Sequence, residues 1–277
     1  MLKSNPFIKA YLNIIKEDVD IEKYQQIAAE IGGEYILKTN SIDCKRNKVC
    51  FENGWLNEQG SFDFKLINTS NDWSYMFNEC TKLTHLPEDF TIPQGVVNCN
   101  DMFFNCKFLT QLPDNFIIPN SVVYCEDMFC GCESLTDLPD NFTIPNTIEY
   151  CSYMFGSCKS LTNLPNNFIV PDGVVDCSGM FRNCYNLKYL PSNFTIPNTV
   201  ENCYHMFMNC QSLIQLPINF TVPQSVTNCN YMFEGCQSLT SLPSNFHVPI
   251  ECNTYEIFKG CSSLDNQDIE TYRMFEV

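Results

Sequence analysis

A chain of 277 residues with 44% hydrophobic and 17% charged side chains holds enough apolar material for a folded core, which excludes intrinsic disorder. The formal net charge is −16, and residues 61–277 carry 23 acidic against eight basic side chains. Direct nucleic-acid binding, which needs Lys and Arg near phosphates, is therefore excluded, and partners with a basic surface are favoured.

The N-terminal residues lack the pattern of a secretory signal, because the apolar run from Phe7 to Ile15 is broken by Lys9 and Asn13 and no small-residue cleavage site follows. No stretch reaches the roughly 18 consecutive apolar residues of a membrane span. A cytoplasmic protein with reduced thiols is the expectation, ahead of a secreted or surface one. Ser4-Asn5-Pro6 reads as a helix start, and Phe7, Ile8, Tyr11, Leu12, Ile14 and Ile15 form one apolar face. A second helix is predicted from about Ile21 to Ile31, capped by Asp20 and ended by Gly32-Gly33. Short strands are predicted at Tyr35 to Leu37, Val49 to Phe51 and Ser61 to Phe64. Residues 1–60 are read as an α+β cap, with a separate partner-binding module as the alternative.

From Met76 a unit recurs every 26 residues, at Met102, Met128, Met154, Met180, Met206 and Met232, with one deletion before Ile257. Its consensus is MFxxCxSLTxLPxNFTIPxxVxxCxx. A fixed period of this length means a solenoid, since one unit cannot bury its apolar face without neighbours. Within NFTIP the order Phe-in, Thr-out, Ile-in predicts a short parallel strand. Two prolines per unit, Pro87 and Pro93 through Pro243 and Pro249, mark where the chain changes direction. The run from Phe64 to Phe77 has the spacing of a half-repeat, with Trp73 in a cysteine column. Residues 61–264 are thus read as a solenoid of about eight coils, roughly 35 to 40 Å long at strand spacing. Residues 265–277 are read as a helical cap carrying Tyr272, Met274 and Phe275.

The run C-x-x-L, a strand ending in I-P, then V, M-F and C resembles the BspA-type leucine-rich repeat and the MFxxC repeats of bacterial surface lipoproteins. The resemblance spans about residues 62–264, with an added LPxN-like step. It implies a leucine-rich-repeat solenoid, α/β or mainly β with short parallel strands, and a role in adhesion or protein interaction.

Fourteen of the 18 cysteines fall in two columns, Cys80 to Cys261 and Cys99 to Cys229. Buried thiol ladders are the leading reading, because free cysteine packs as a small hydrophobe. Disulfides between neighbouring coils are the alternative; like residues about 4.8 Å apart are within reach, though parallel Cβ vectors oppose bridging. A zinc site would need close pairs or histidines, whereas only Cys130 and Cys132 are close and His85, His205 and His247 are scattered. No metal or cofactor is predicted. Cys203 and His205 both sit at repeat positions, the histidine's filled elsewhere by other residues such as Tyr and Asp; no phosphate loop or nucleophile motif is present, and no enzyme activity is predicted. The NFT sequons at Asn141, Asn193 and Asn219 are by-products of the repeat. The asparagine column from Asn115 to Asn245 is expected to bond turn backbones from coil to coil.

Function is expected at positions that vary between copies. The column after Met-Phe supplies Phe104, Arg182 and Met208, and aromatic side chains, which dominate interface energies, add Tyr124, Tyr150, Tyr153, Tyr185, Tyr189, Tyr204 and Tyr231. The open face of the NFTIP step, Thr91 to His247, reads either as contact surface or as strand formers. The leading expectation is a non-enzymatic protein-interaction module with a rigid acidic surface. One alternative is an acidic mimic of nucleic acid, such as a virus-encoded inhibitor occupying the basic groove of a host defence nuclease. The second is a surface adhesin.

Overall fold

The computed structural model describes residues 70–265 continuously and, before them, residues 23, 25, 26, 29, 34–36, 41–43 and 65–67. The chain divides into two compact units, Met1–Arg46 with Asp63–Thr69, and Asn47–Phe62 with Ser70–Val277. In the first unit residues 23, 25, 26 and 29 are helical, inside the second predicted helix. Strand β1 (Glu34–Ile36) pairs antiparallel with β2 (Ser41–Asp43), which pairs parallel with β3 (Lys65–Ile67). β1 lies one residue from its predicted place, and β2 has no counterpart in the sequence reading. The first predicted helix, the strands at Val49 and Ser61, and the C-terminal helix lie outside the described residues.

The second unit is a parallel stack of coils. Single-residue parallel bridges join Asp72, Asn98, Tyr124, Tyr150, Asp176, Asn202, Asn228 and Asn253 in turn. The last step is 25 residues, which places the deletion between Cys252 and Asn253. Met, Phe, both Leu, the Phe and Ile of NFTIP, Val and both Cys are buried at nearly every coil. Two phenylalanine columns run through the core and meet edge to face. Stacked neighbours are 5.1 Å apart at Phe77–Phe103 and 5.8 Å at Phe155–Phe181, against 6.2 Å at Phe90–Phe116 and 6.3 Å at Phe142–Phe168. The coils therefore fan out toward the NFTIP side, leaving the Met-Phe side on the inner curve.

The NFTIP step is not a strand. Phe90 and Ile92 point in and Thr91 out, as the alternation requires, but turns close on both sides of it. The Pro87 carbonyl accepts from Phe90 N–H at 2.9 Å and the Pro93 carbonyl from Val96 N–H at 3.3 Å, a pattern repeated at every coil. Among the described residues Val222 N–H, which donates to the His247 carbonyl at 3.2 Å, gives a single coil-to-coil bond between the corners, too little for a ladder. The asparagine column is corrected too. Asn115, Asn141, Asn167, Asn193, Asn219 and Asn245 are exposed, each third in the turn that its proline opens, where a polar side chain meets water.

Continuity between coils comes from the Met-Phe segment, which is a ribbon of consecutive turns. Trp73, Tyr75, Phe77 and Glu79 donate their N–H groups to Asn98, Asn100, Met102 and Phe104 of the next coil, at 2.7 to 2.9 Å. The intervening N–H groups of Met76, Asn78 and Cys80 close turns onto the carbonyl three residues back. This alternation requires two left-handed residues per coil. The residue before Met has positive φ at Tyr75, Asp101, Asp127, Tyr153, Gly179, His205 and Tyr231, as does Glu256 before Ile257 in the last coil, and so does the residue before Cys from Glu79 to Gly260. Trp73 takes the cysteine place in its coil and is fully buried.

The first cysteine column has a polar task. Each thiol from Cys106 to Cys261 donates to the carbonyl of the Met-Phe phenylalanine one coil back, as Cys106 does to Phe77 at 3.0 Å and Cys184 to Phe155 at 3.1 Å. Burial pushes these thiols up, Cys261 to about 12, so they stay protonated donors. In the second column Cys177 Sγ lies 3.8 Å from Cys203 Sγ, and both are free thiols.

Candidate interaction surface

On the turn ribbon Met and Phe fill the core, while the fourth, second and first residues before Met and the residue after Met-Phe stand mostly half-buried along its outer side. Side chains on this face bond from coil to coil. Asn100 accepts Glu126 N–H at 2.8 Å and donates to the Glu126 carboxylate at 2.9 Å; Asn209 donates to Asn183 at 2.9 Å. These bonds hold the ribbon stiff while its outward residues change.

Tyr124 and Tyr150 occupy the bridge column and stack with centroids 5.8 Å apart. Tyr204 meets Tyr231 edge to face at 6.0 Å, and Tyr231 meets Tyr255 in the same way at 5.3 Å. Phe104, Arg182 and Met208 share the column after Met-Phe and are half-buried. Tyr153 is half-buried with its ring over Gly179, where a Cβ would collide with it. Tyr185 and Tyr189 stand on the LTxLP flank, where Tyr189 bridges to Asn163, and no ring contact joins them to the others among the described residues. On that flank a groove of about 380 Å³ is lined by Glu88, Asp114 and Asp137 with Leu112, Pro113, Leu138 and Pro139.

A histidine set aside in the sequence as a catalytic candidate completes the face. His205 is buried against Tyr204 and Tyr231, at 3.7 and 5.1 Å between ring centroids. Its Nδ1 and the Nε of Arg182 have no hydrogen-bond partner among the described residues. Burial, and then the Arg182 charge, push the His205 imidazole down to about 4. An unfolded histidine near 6.5 binds its proton where the folded one does not, so stability is full above pH 6.5 and falls as pH drops toward 4. His205→Tyr, a residue its column accepts at Tyr153 and Tyr231, is expected to flatten that fall. Urea melts at pH 7 and 4.5 check it; an equal loss in both proteins would mean that His205 is already solvated.

Among the described residues no three His, Cys, Asp or Glu side chains are placed to hold a metal ion, and no helix is long and apolar enough to cross a membrane. The stack resembles solved bacterial leucine-rich-repeat proteins. One from T. pallidum is 17% identical over 88% of this chain and 92% of its own, with a TM-score of 0.45. One from Bacteroides ovatus is 16% identical over 84% and 79%, with a TM-score of 0.40. A leucine-rich cell surface protein of Faecalibacterium prausnitzii is 19% identical over 72% and 78%, with a TM-score of 0.36. No curated protein matches the chain. A family model matches residues 51–168 and 175–277, nearly all of the coil stack, and the chain belongs to that family, described as Mycoplasma protein of unknown function, DUF285.

Proposed function

We propose that the coil stack is a non-enzymatic protein-recognition module whose partner docks on the ribbon face. One observation carries this reading: the ribbon keeps its interior residues fixed from coil to coil while its outward columns change. Those columns place tyrosines, the side chains that supply much interface energy, on a backbone that loses little freedom on binding. Acidic side chains on the same face, among them Asp101, Glu126 and Asp127, favour a partner with a basic surface. The S–H donors of the cysteine columns suit a reducing, cytoplasmic setting.

The test is affinity capture with the wild-type protein and with a variant in which Tyr124, Tyr150, Tyr204, Met208 and Tyr231 are alanine. None of these is in the core, so the variant should melt with the wild type while losing its partner. Retention of the same partner would overturn the reading. Capture of a nucleic-acid-binding protein, weakening steeply with salt, would favour the acidic-mimic alternative; a partner exposed on a cell surface would favour the adhesin.

A further inference from the structure

The N-terminal half of the ribbon face carries a feature that names the partner's chemistry. Tyr124 and Tyr150 are 39% and 36% exposed, stacked 14° from parallel. Asp176 follows Tyr150 in the bridge column. The Asp176 carboxylate is fixed by Ser178 N–H at 2.7 Å and by Asn202 Nδ2 at 3.1 Å. Glu126, two residues from Tyr124, is fixed by Asn100 Nδ2 at 2.9 Å and by Ser152 Oγ at 3.2 Å. Asp101 and Asp127 succeed one another in the column before Met. Burial raises the pKa of both, and the neighbouring carboxylates raise it further.

No Lys or Arg nitrogen lies within 4.0 Å of these four carboxylates among the described residues. Lys107 and Lys159 pair instead with Glu133, and Lys259 with Glu234 and Glu256. An exposed aromatic pair bordered by uncompensated carboxylates repels anions and rewards a flat cation. A guanidinium stacks on a ring and offers five N–H donors at its edge, whereas an ammonium meets the charge alone. We propose that the Tyr124–Tyr150 stack is the seat of an arginine side chain from a basic segment of the partner, with Glu126 and Asp176 as counter-ions. The proposal rests on the recognition reading above and sharpens it to one side chain.

Two acetylated, amidated octapeptides of equal charge, alternating Arg-Gly and alternating Lys-Gly, are titrated calorimetrically into the full chain at fixed ionic strength. The arginine peptide is expected to bind about fivefold more tightly than the lysine peptide. Tyr124→Ala with Tyr150→Ala leaves the net charge at −16 and should erase that preference. Glu126→Gln with Asp176→Asn should weaken both peptides. Equal affinities in the wild type, or an arginine preference that survives loss of both tyrosines, would overturn the proposal. The two tyrosines are exposed, and a melting curve of the double variant checks its fold. A captured protein indifferent to the tyrosine pair removes this seat and leaves ribbon-face recognition standing. An arginine preference without any captured protein does the reverse.

Discussion

Phe155→Ala is expected to destabilise the coil stack by about 4 kcal/mol, the range for emptying a phenylalanine site in a packed core. Phe155 is fully buried and touches four rings. Phe129 and Phe181 stack on its two faces at 5.6 and 5.8 Å, while Phe142 and Phe168 meet it edge to face at 5.8 and 6.1 Å. Alanine leaves a cavity that identical neighbours cannot close, since each is held in register by its own coil. A solenoid transmits stability only through adjacent coils, so a weak middle coil also uncouples the two halves. The urea transition should move to a lower midpoint and broaden. Phe108→Ala, at a ring 57% exposed, should change stability by less than about 0.5 kcal/mol. A loss below about 2 kcal/mol at Phe155, or equal losses at the two sites, would show that the phenylalanine columns do not carry the stack.

The inward columns were legible because the repeat keeps them apolar at constant offset, and burial needs only that. The corners were legible because proline has no N–H and each one opens a turn. The ribbon was not, since an apolar pattern says which residues face the core and nothing about φ. Its signature was nonetheless present. Gly131, Gly179, Gly235 and Gly260 stand in the same two columns as Asp101, Asp127, Asn105, Asn183 and Asn209, the residue types that most readily take a left-handed backbone. Tyr75, Tyr153, His205 and Tyr231 share one of those columns and hid the pattern. Cysteine read as a small hydrophobe concealed the S–H donors, whose carbonyl acceptors are set by coil register alone.

The aromatic candidates were named from sequence, but their grouping was not. Tyr124 and Tyr150 are 26 residues apart and so share a column, while Tyr185 and Tyr189 fall on another flank. Tyr255 joins Tyr204 and Tyr231 only after the one-residue deletion is placed between Cys252 and Asn253. His205 was set aside because it occupies a repeated position filled elsewhere by other residues, Tyr and Asp among them. That mixture is what a left-handed position with an outward side chain allows.

Gly179→Val should cost about 3 kcal/mol, and it probes the ribbon directly. At φ 59° a side chain costs about 1 to 2 kcal/mol, more when β-branched, and the new Cβ would collide with the Tyr153 ring. The two contributions separate in a double-mutant cycle. In a Tyr153→Ala background the collision is gone, so Gly179→Val should cost only the backbone part, with a coupling of about 1 kcal/mol between the sites. Glu79→Gly tests the same geometry with the opposite sign. Glu79 has φ 60° and is exposed, so glycine relieves its strain. After the extra entropy of an unfolded glycine is subtracted, a gain of about 0.5 kcal/mol remains. A ribbon built of extended strand would reverse both signs, because glycine weakens a strand and valine favours it. Chemical denaturation of the pair therefore decides between turns and strand as the feature that orders this face.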